Sequence, residues 1–347
     1  MNHKLTFVIP TYNRLDFLKR SVSRILVFIE QAAKAGYIAN LFILNNGSKD
    51  GTKEWLDVHC SNNKYIKYIS HDINHDYAVS FYLALNYGSI NSDWVWYHGD
   101  DDILGDTLLP IDVFSKIHLA EFSKISLIVC SDTFNEKYKE CNIAPVRDVC
   151  CSNGFINTLG FMTSLLFKPK SVLNCYLKFD NASFWKTAFV HSFAIFDAFN
   201  EQSLLMWNWP VIRTQDERSE AEQQAAFASN KVHERFLILP ESIFFMCKAL
   251  NFKPKDNFLR MHTWTLTAFF MKVFIGYIQK TKLYPEGDLL KQAMLLERLS
   301  LGTNSEAEMA NNIIISRAIH INNILPIGVF PLEIVKYDPT LILPNNI

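Results

Sequence analysis

Four short apolar runs open this chain, each ending in a polar break, and helical stretches separate them. Residues 5–9, Leu-Thr-Phe-Val-Ile, suit a buried parallel strand. Pro10-Thr11-Tyr12-Asn13-Arg14 interrupts the pattern and reads as a loop. Residues 15–35 then repeat with a helical period, with Leu15, Leu18, Val22, Ile25, Leu26 and Ile29 on one face and Gly36 as the stop. A second strand at 41–44 leads into the glycine-punctuated loop 45–52 and a short helix at 53–60. A third strand at 65–70, a helix at 77–90 and a fourth strand from Trp94 complete the alternation. Such an alternation predicts a parallel α/β sheet, because each crossover helix must bury its apolar stripe on the sheet. Ligands of such sheets sit outside the carboxyl ends of the strands.

The fourth strand, Trp94-Val95-Trp96-Tyr97, runs through His98 and Gly99 into Asp100-Asp101-Asp102-Ile103-Leu104. Aromatic and β-branched residues favour the buried pleat, and Gly99 permits a turn or a close approach. Three adjacent carboxylates repel one another, so a cationic partner is expected nearby. A hard divalent ion, Mn²⁺ or Mg²⁺, prefers carboxylate oxygen and bridges readily to phosphate. A solvated acidic turn is the plainer alternative. The loops after strands one and two and the triplet after strand four all fall at one sheet edge. Neither a GxxxxGK[ST] nor a GxGxxG motif is present, which sets this edge apart from a P-loop or a dinucleotide fingerprint.

At 347 residues, 49% apolar and 20% charged, the chain has material for a sizeable core. A net charge of −1 lacks the basic excess of a nucleic-acid binder, so no nucleic-acid partner is expected. The seven cysteines form no CxxC pair. With no signal-peptide pattern at the N-terminus, a reduced cytoplasmic setting is expected. The longest apolar stretch, 261–278, is broken by His262 and Lys272 and is short of the ~20 residues a span needs.

Val8-Ile9-Pro10-Thr11-Tyr12-Asn13-Arg14, then Asn45-Asn46-Gly47-Ser48-Lys49-Asp50-Gly51-Thr52, then Gly99-Asp100-Asp101-Asp102-Ile103-Leu104 resembles glycosyltransferase family 2 in residues, order and spacing. The triplet is similar to that of bacterial members acting on lipopolysaccharide, capsule or related surface glycans. The resemblance is clear over 4–110 and fades by about residue 215. It implies a GT-A fold: a Rossmann-like mixed sheet flanked by helices, here spanning 1–215; residues 216–347 lie beyond the resemblance and are read from their apolar stripes as a mainly helical acceptor or oligomerisation region. It also implies a nucleotide-sugar donor, by default a UDP-sugar, and a metal-dependent, inverting transfer to a glycan or lipid-linked glycan.

By that resemblance Pro10, Thr11 and Tyr12 line the base pocket, with the Tyr12 ring against the base. Arg14 meets a phosphate or caps its loop. Asn45 stands where many members carry Asp, and Asn46 completes the turn. Asp50 is expected to cap the following helix. Asp100 is assigned to the ribose, and Asp101 and Asp102 to the metal. Family members usually carry the general base on a Glu-Asp pair, which this chain lacks. Phe179-Asp180 resembles the Phe-Asp that precedes the base, and a strand is expected at 209–212. Counting back from Pro210 puts His191 at the catalytic position, with Asp180 and Asp197 behind it. A histidine serves as a base near neutral pH. Arg213 is placed near the diphosphate by position, and the polar stretch 214–231 reads as a closing loop or a solvated helix face.

Residues 232–347 are read as mainly helical, with apolar stripes at 236–250, 258–279 and 289–301. Phe269, Phe270, Phe274 and Tyr277 form a core stripe, a homodimer contact, or a peripheral surface for the inner membrane with Lys253, Lys255, Arg260, Lys272, Lys280 and Lys282 around it. Two other functions stay open: a catalytically inactive nucleotide-sugar or glycan binder, which the missing Glu-Asp pair suits, and a nucleotidyltransferase, for which the phosphate loop is absent.

Overall fold

The central sheet is organised around β1 (Lys4–Thr11), which lies between β2 (Ile38–Asn45) and β4 (Trp94–Tyr97) and runs parallel to both. The structure is a computed structural model that describes residues 3–131, 143–176, 189–208, 212–214, 239–255, 257–261 and 264–265. β3 (Ile66–Ser70) pairs in parallel with the outer side of β2. Beyond β4 the order continues through β8 (Leu165–Phe167), β6 (Leu127–Cys130), β9 (Ser203–Trp207) and β7 (Ile143–Pro145). β8 is antiparallel to β4 and β6, and β7 is antiparallel to β9. The sheet is therefore mixed, with the parallel part where the βα alternation is visible in the sequence.

The apolar periods of sheet and helices meet as expected. Leu5, Phe7 and Ile9 point to one face, where α1 (Leu15–Lys34) buries Leu18, Val22, Ile25, Phe28, Ile29 and Ala32. Leu15 and Leu26 are only partly covered, while Phe28 and Ala32 take buried places. Gly36 ends the helix at φ +82°, and the Tyr37 N–H closes it on the Ala32 carbonyl at 2.9 Å. α4 (Pro110–Phe122) covers the same face through Val113, Phe114 and Ile117. The other face carries α3 (Tyr77–Gly88), which comes so close at Gly88 that a Cβ there would stand 2.6 Å from Val8 Cγ2. Shorter helices follow the sheet's loops: α2 (Thr52–His59), α5 (Val146–Asn153), α6 (Phe155–Leu159), α7 (Pro169–Tyr176) and α8 (Val190–Phe199).

Two local expectations are corrected, and a third falls mostly outside the described residues. β1 does not stop at Ile9 but continues through Pro10 and Thr11, paired with Leu44 and Asn45. Val8 bonds towards the β4 side, where its carbonyl takes the His98 N–H at 2.9 Å, and Pro10 shares that parity. β4 has ended by then, so Pro10 needs no donor there. β9 lies just before the strand expected at 209–212; Trp209, Pro210 and Val211 fall outside the described residues, and Ile212 opens β10 (Ile212–Thr214). The predicted helical stripe at 258–279 begins instead with a two-stranded antiparallel ladder, β11 (Arg260–Met261) and β12 (Trp264–Thr265). The polar stretch 215–231 and the aromatic group Phe269, Phe270, Phe274 and Tyr277 lie outside the described residues.

The chain divides into two compact units. One comprises 1–149, 156–185 and 189–219 and holds the sheet; the other comprises 150–155, 186–188 and 220–347. Within the second, α9 (Leu239–Ala249) is the helix expected at 236–250, and Phe155 stacks on Phe258 with centroids 5.3 Å apart. Among the described residues no helix is long and apolar enough to cross a membrane.

Candidate active site

The carboxyl ends of β1, β2 and β4 carry loops that are tied to one another by side chains. Asn13 adopts φ +53°, and its side-chain oxygen accepts the Lys49 N–H at 2.7 Å while its own N–H donates to Ser48 Oγ at 3.0 Å. Asp50 takes the Leu15 N–H at 2.9 Å and the Thr52 N–H at 3.2 Å. One carboxylate thus caps both α1 and α2, twice the role expected for it. The Tyr12 ring projects from this platform and is 38% exposed, a flat face open to a planar ligand.

Asn45 and Asn46 are both buried and both committed to the loop framework. Asn45 Oδ1 accepts the Ser48 N–H at 3.0 Å, and its amide nitrogen donates to Ser70 Oγ at 3.3 Å. Asn46 donates to Asn74 Oδ1 at 2.8 Å and to the His75 carbonyl at 3.0 Å, and accepts the His75 N–H at 3.0 Å. Their geometry makes them braces between the loops after β2 and β3. Gly47, next in the chain, sits at φ +78°, and a Cβ there would collide with the backbone of Ile73 and lie 2.6 Å from Asn74 N. Gly47→Ala should therefore lower stability by about 2–3 kcal/mol in urea unfolding. A loss below half a unit would mean that the 73–74 backbone gives way freely.

The triplet splits into two environments. Asp100 is buried, with Oδ2 accepting from Thr11 Oγ1 at 2.8 Å and Oδ1 accepting from Arg14 Nη1 at 3.1 Å. The same Arg14 nitrogen donates to Asp101 Oδ2 at 2.6 Å. The cation expected beside the triplet is therefore Arg14, brought from the loop after β1. Burial works against the charge on Arg14, but Asp100 and Asp101 hold its guanidinium more firmly protonated than usual. Burial raises the Asp100 carboxyl, and Arg14 pulls against that.

Asp102, expected at the metal, is bonded to Thr163. It is only 4% exposed, and its Oδ2 accepts the Thr163 hydroxyl. Thr163 Oγ1 in turn accepts the Gly99 N–H at 2.8 Å, and the Thr163 carbonyl accepts the Trp96 indole N–H at 2.8 Å. Burial pushes the Asp102 carboxyl up to about 7, although the Thr163 hydroxyl opposes this. Gly99 is required here, since a Cβ would lie 3.1 Å from Asp101 Oδ1 and closer still to Asp102. No local signal in the sequence marks Thr163, which reaches the triplet only because β8 packs antiparallel on β4.

His191, expected at the base, lies inside the protein. It is 3% exposed on α8; its Nε2–H donates to the Gly160 carbonyl at 3.0 Å and its Nδ1 accepts from the Tyr77 hydroxyl at 3.3 Å. Burial pushes its pKa down to about 4 despite the Gly160 bond. Both nitrogens are engaged inside the protein, so no lone pair is offered to an acceptor hydroxyl. Asp197 lies half-buried two turns further along α8, and Asp180 is outside the described residues. Arg213 is placed beside the triplet by the backbone: β10 pairs with β5 (Asp102–Leu104), Arg213 opposite Ile103 and Thr214 opposite Asp102.

A mixed α/β sheet with its polar loops gathered at the carboxyl ends of β1, β2 and β4 is the GT-A fold. Residues 6–111 match the family described as glycosyl transferase family 2. The abequosyltransferase RfbV of Salmonella typhimurium is 32% identical over 108 residues, which span 31% of this chain and 31% of that protein. The likeness thus extends over about a third of the relative's length. Among solved structures, S. aureus TarS 1–349 in complex with UDP-GlcNAc superimposes with a TM-score of 0.53 at 11% identity, covering 92% of this chain and 91% of that one. The same protein in complex with UDP gives 0.52, at the same identity and coverage. At such identity the likeness concerns the fold.

Proposed function

We propose that the chain is a glycosyltransferase that moves a sugar from a nucleoside diphosphate sugar, by default a UDP-sugar, to a hydroxyl of a bacterial surface glycan. The observation that carries this reading is the Thr11–Asp100–Arg14–Asp101 tie between the loops after β1 and β4, beside the open Tyr12 ring. Tyr12 stacks on the base, Asp100 meets the ribose, and Arg14 with Arg213 faces the diphosphate. The acceptor oxygen attacks the anomeric carbon as the bond from that carbon to the diphosphate oxygen breaks, which inverts the centre. Asp180 or Asp197 takes the acceptor proton, and single Asn substitutions discriminate between them. Residues 216–347 serve as the acceptor or oligomerisation region.

Among the described residues no three His, Cys, Asp or Glu side chains gather into a cage for a metal. Asp100 and Asp101 nevertheless fit a divalent ion, because such an ion is commonly held by one or two carboxylates together with substrate phosphates. Both carboxylates already converge on one positive nitrogen. Asp101 and Asp100 would hold such an ion, which would supply positive charge to the leaving diphosphate. Asp102, tied to Thr163, keeps the loop in shape.

A thermal-shift screen of nucleoside diphosphates and their sugars, with Mn²⁺ or with EDTA, tests the reading. A ligand at about a hundred times its dissociation constant adds about 2.7 kcal/mol to the native state. A rise in melting temperature with one nucleotide, enhanced by Mn²⁺ and lost in Asp101→Asn, is expected. No rise with any nucleotide would refute the donor site. The engaged nitrogens of His191 favour a second reading, a sugar-nucleotide binder without turnover; donor binding with no transfer to any glycan would decide for it.

A further inference from the structure

Arg14 occupies the vertex between two carboxylates. A single nitrogen, Nη1, lies 3.1 Å from Asp100 Oδ1 and 2.6 Å from Asp101 Oδ2. A bridging divalent ion needs those same oxygens at about 2.0–2.6 Å. Two cations cannot share that vertex, since they would repel each other and compete for the same lone pairs. The pair is also not locked in place. The Arg14 side chain is 34% exposed and that of Asp101 is 29% exposed, whereas Asp100 is 8% exposed and held on its other oxygen by Thr11. The guanidinium therefore has a path to solvent, while the Asp100 carboxylate does not.

We propose that Arg14 is a resident counter-cation that holds Asp100 and Asp101 in the donor-free protein and competes directly with the divalent ion for them. This rests on the donor-site reading above. Without nucleotide, an entering ion must expel Arg14 and leave it without a partner, so binding is weak. With nucleoside diphosphate present, the displaced guanidinium finds phosphate oxygens, for which its planar fork is suited. Metal and nucleotide then each tighten the binding of the other, as linkage requires. The exchange keeps the buried Asp100 neutralised in both states, and Arg14 acts as a positioning residue.

The test is Mn²⁺ affinity measured by calorimetry in the full chain, with and without UDP. In the wild type UDP should tighten Mn²⁺ binding by about tenfold or more. Arg14→Gln, which removes the charge but keeps a hydrogen-bond donor, should bind Mn²⁺ about tenfold more tightly than wild type when no nucleotide is present, and UDP should tighten it by a smaller factor than in wild type, since only its direct phosphate ligation remains. Arg14→Lys should stay near wild type. Nucleotide-free Mn²⁺ binding that is unchanged or weaker in Arg14→Gln overturns the proposal. Should that variant not fold, the rate of phenylglyoxal modification of Arg14 in the wild type decides. Mn²⁺ alone should accelerate it and added UDP should suppress it; a rate indifferent to Mn²⁺ overturns the exchange. Failure of UDP, GDP and CDP alike to bind would instead refute the donor-site reading, leaving the nucleotide-free comparison to judge Arg14 by itself.

Discussion

Thr163→Val should destabilise the protein by about 2–4 kcal/mol and weaken nucleotide binding at the same time. The two side chains have nearly the same shape, so the change removes one hydroxyl and little packing. That hydroxyl accepts the buried Gly99 N–H at 2.8 Å and donates to the buried Asp102 carboxylate. Without it a backbone donor is left unsatisfied, at a cost of about 1–3 kcal/mol, and the buried Asp102 carboxylate loses one hydrogen bond. The Trp96 bond to the Thr163 carbonyl at 2.8 Å involves the backbone and survives the substitution. The damage should thus be local to the turn from Gly99 to Asp102, which also sets Asp100 and Asp101. Urea unfolding reads the stability, and titration with UDP reads the turn. Thr163→Ser should recover most of both. A Val variant within about half a kcal/mol of wild type would show that the turn is held by other contacts.

Thr163 illustrates which parts of this molecule local patterns reveal. The strand–helix alternation over the first hundred residues is written in periods of two and 3.6, and each of those elements forms close to its expected place. The polar motifs at the sheet edge are equally local, because loops after parallel strands must open on one side. Pro10 misleads: it signals a break, yet the strand runs through it because its neighbour on that side has ended. Strands of three to five residues such as β8 and β9 carry no period at all. They exist only because a partner edge is available, so their pairing is non-local. The contacts that depend on them share this property. Asp102 and Thr163 are 61 residues apart, and nothing near either one announces the other. Asn46 shows a different limit, since a polar loop residue facing a ligand and one bracing a neighbouring loop look the same in the sequence. His191 shows a third. Spacing from Pro210 gave it a position along the chain but said nothing of burial, and burial decides what an imidazole can do.

A large dependence on pH is expected at that histidine. Its pKa falls from 6.5 to about 4 on folding, with burial as the main cause. A base with a depressed folded pKa binds more protons when unfolded, so its contribution to stability is complete above 6.5 and is lost as the pH falls towards 4. About 2.5 pH units at 1.4 kcal/mol each make that loss about 3.5 kcal/mol. His98, buried and likewise pushed down to about 4, contributes in the same direction, and the buried carboxyls of Asp100 and Asp102 act in the opposite one. These groups are common to wild type and a His191→Gln variant, so they cancel in the difference. Glutamine can still donate to the Gly160 carbonyl and accept from the Tyr77 hydroxyl, and it does not titrate. At pH 7 the variant should be the less stable by about 1 kcal/mol, the usual size of an imperfectly replaced hydrogen bond. By pH 4.5 the order should reverse, the gap having moved by about 2–3 kcal/mol in favour of glutamine. Chemical unfolding of the two proteins at half-unit steps from pH 4.5 to 7.5 measures the difference directly. Parallel stability curves would mean that the imidazole titrates in the folded protein as it does in the unfolded chain. His191 would then be accessible to protons near neutrality and would return as a candidate for the acceptor-side base.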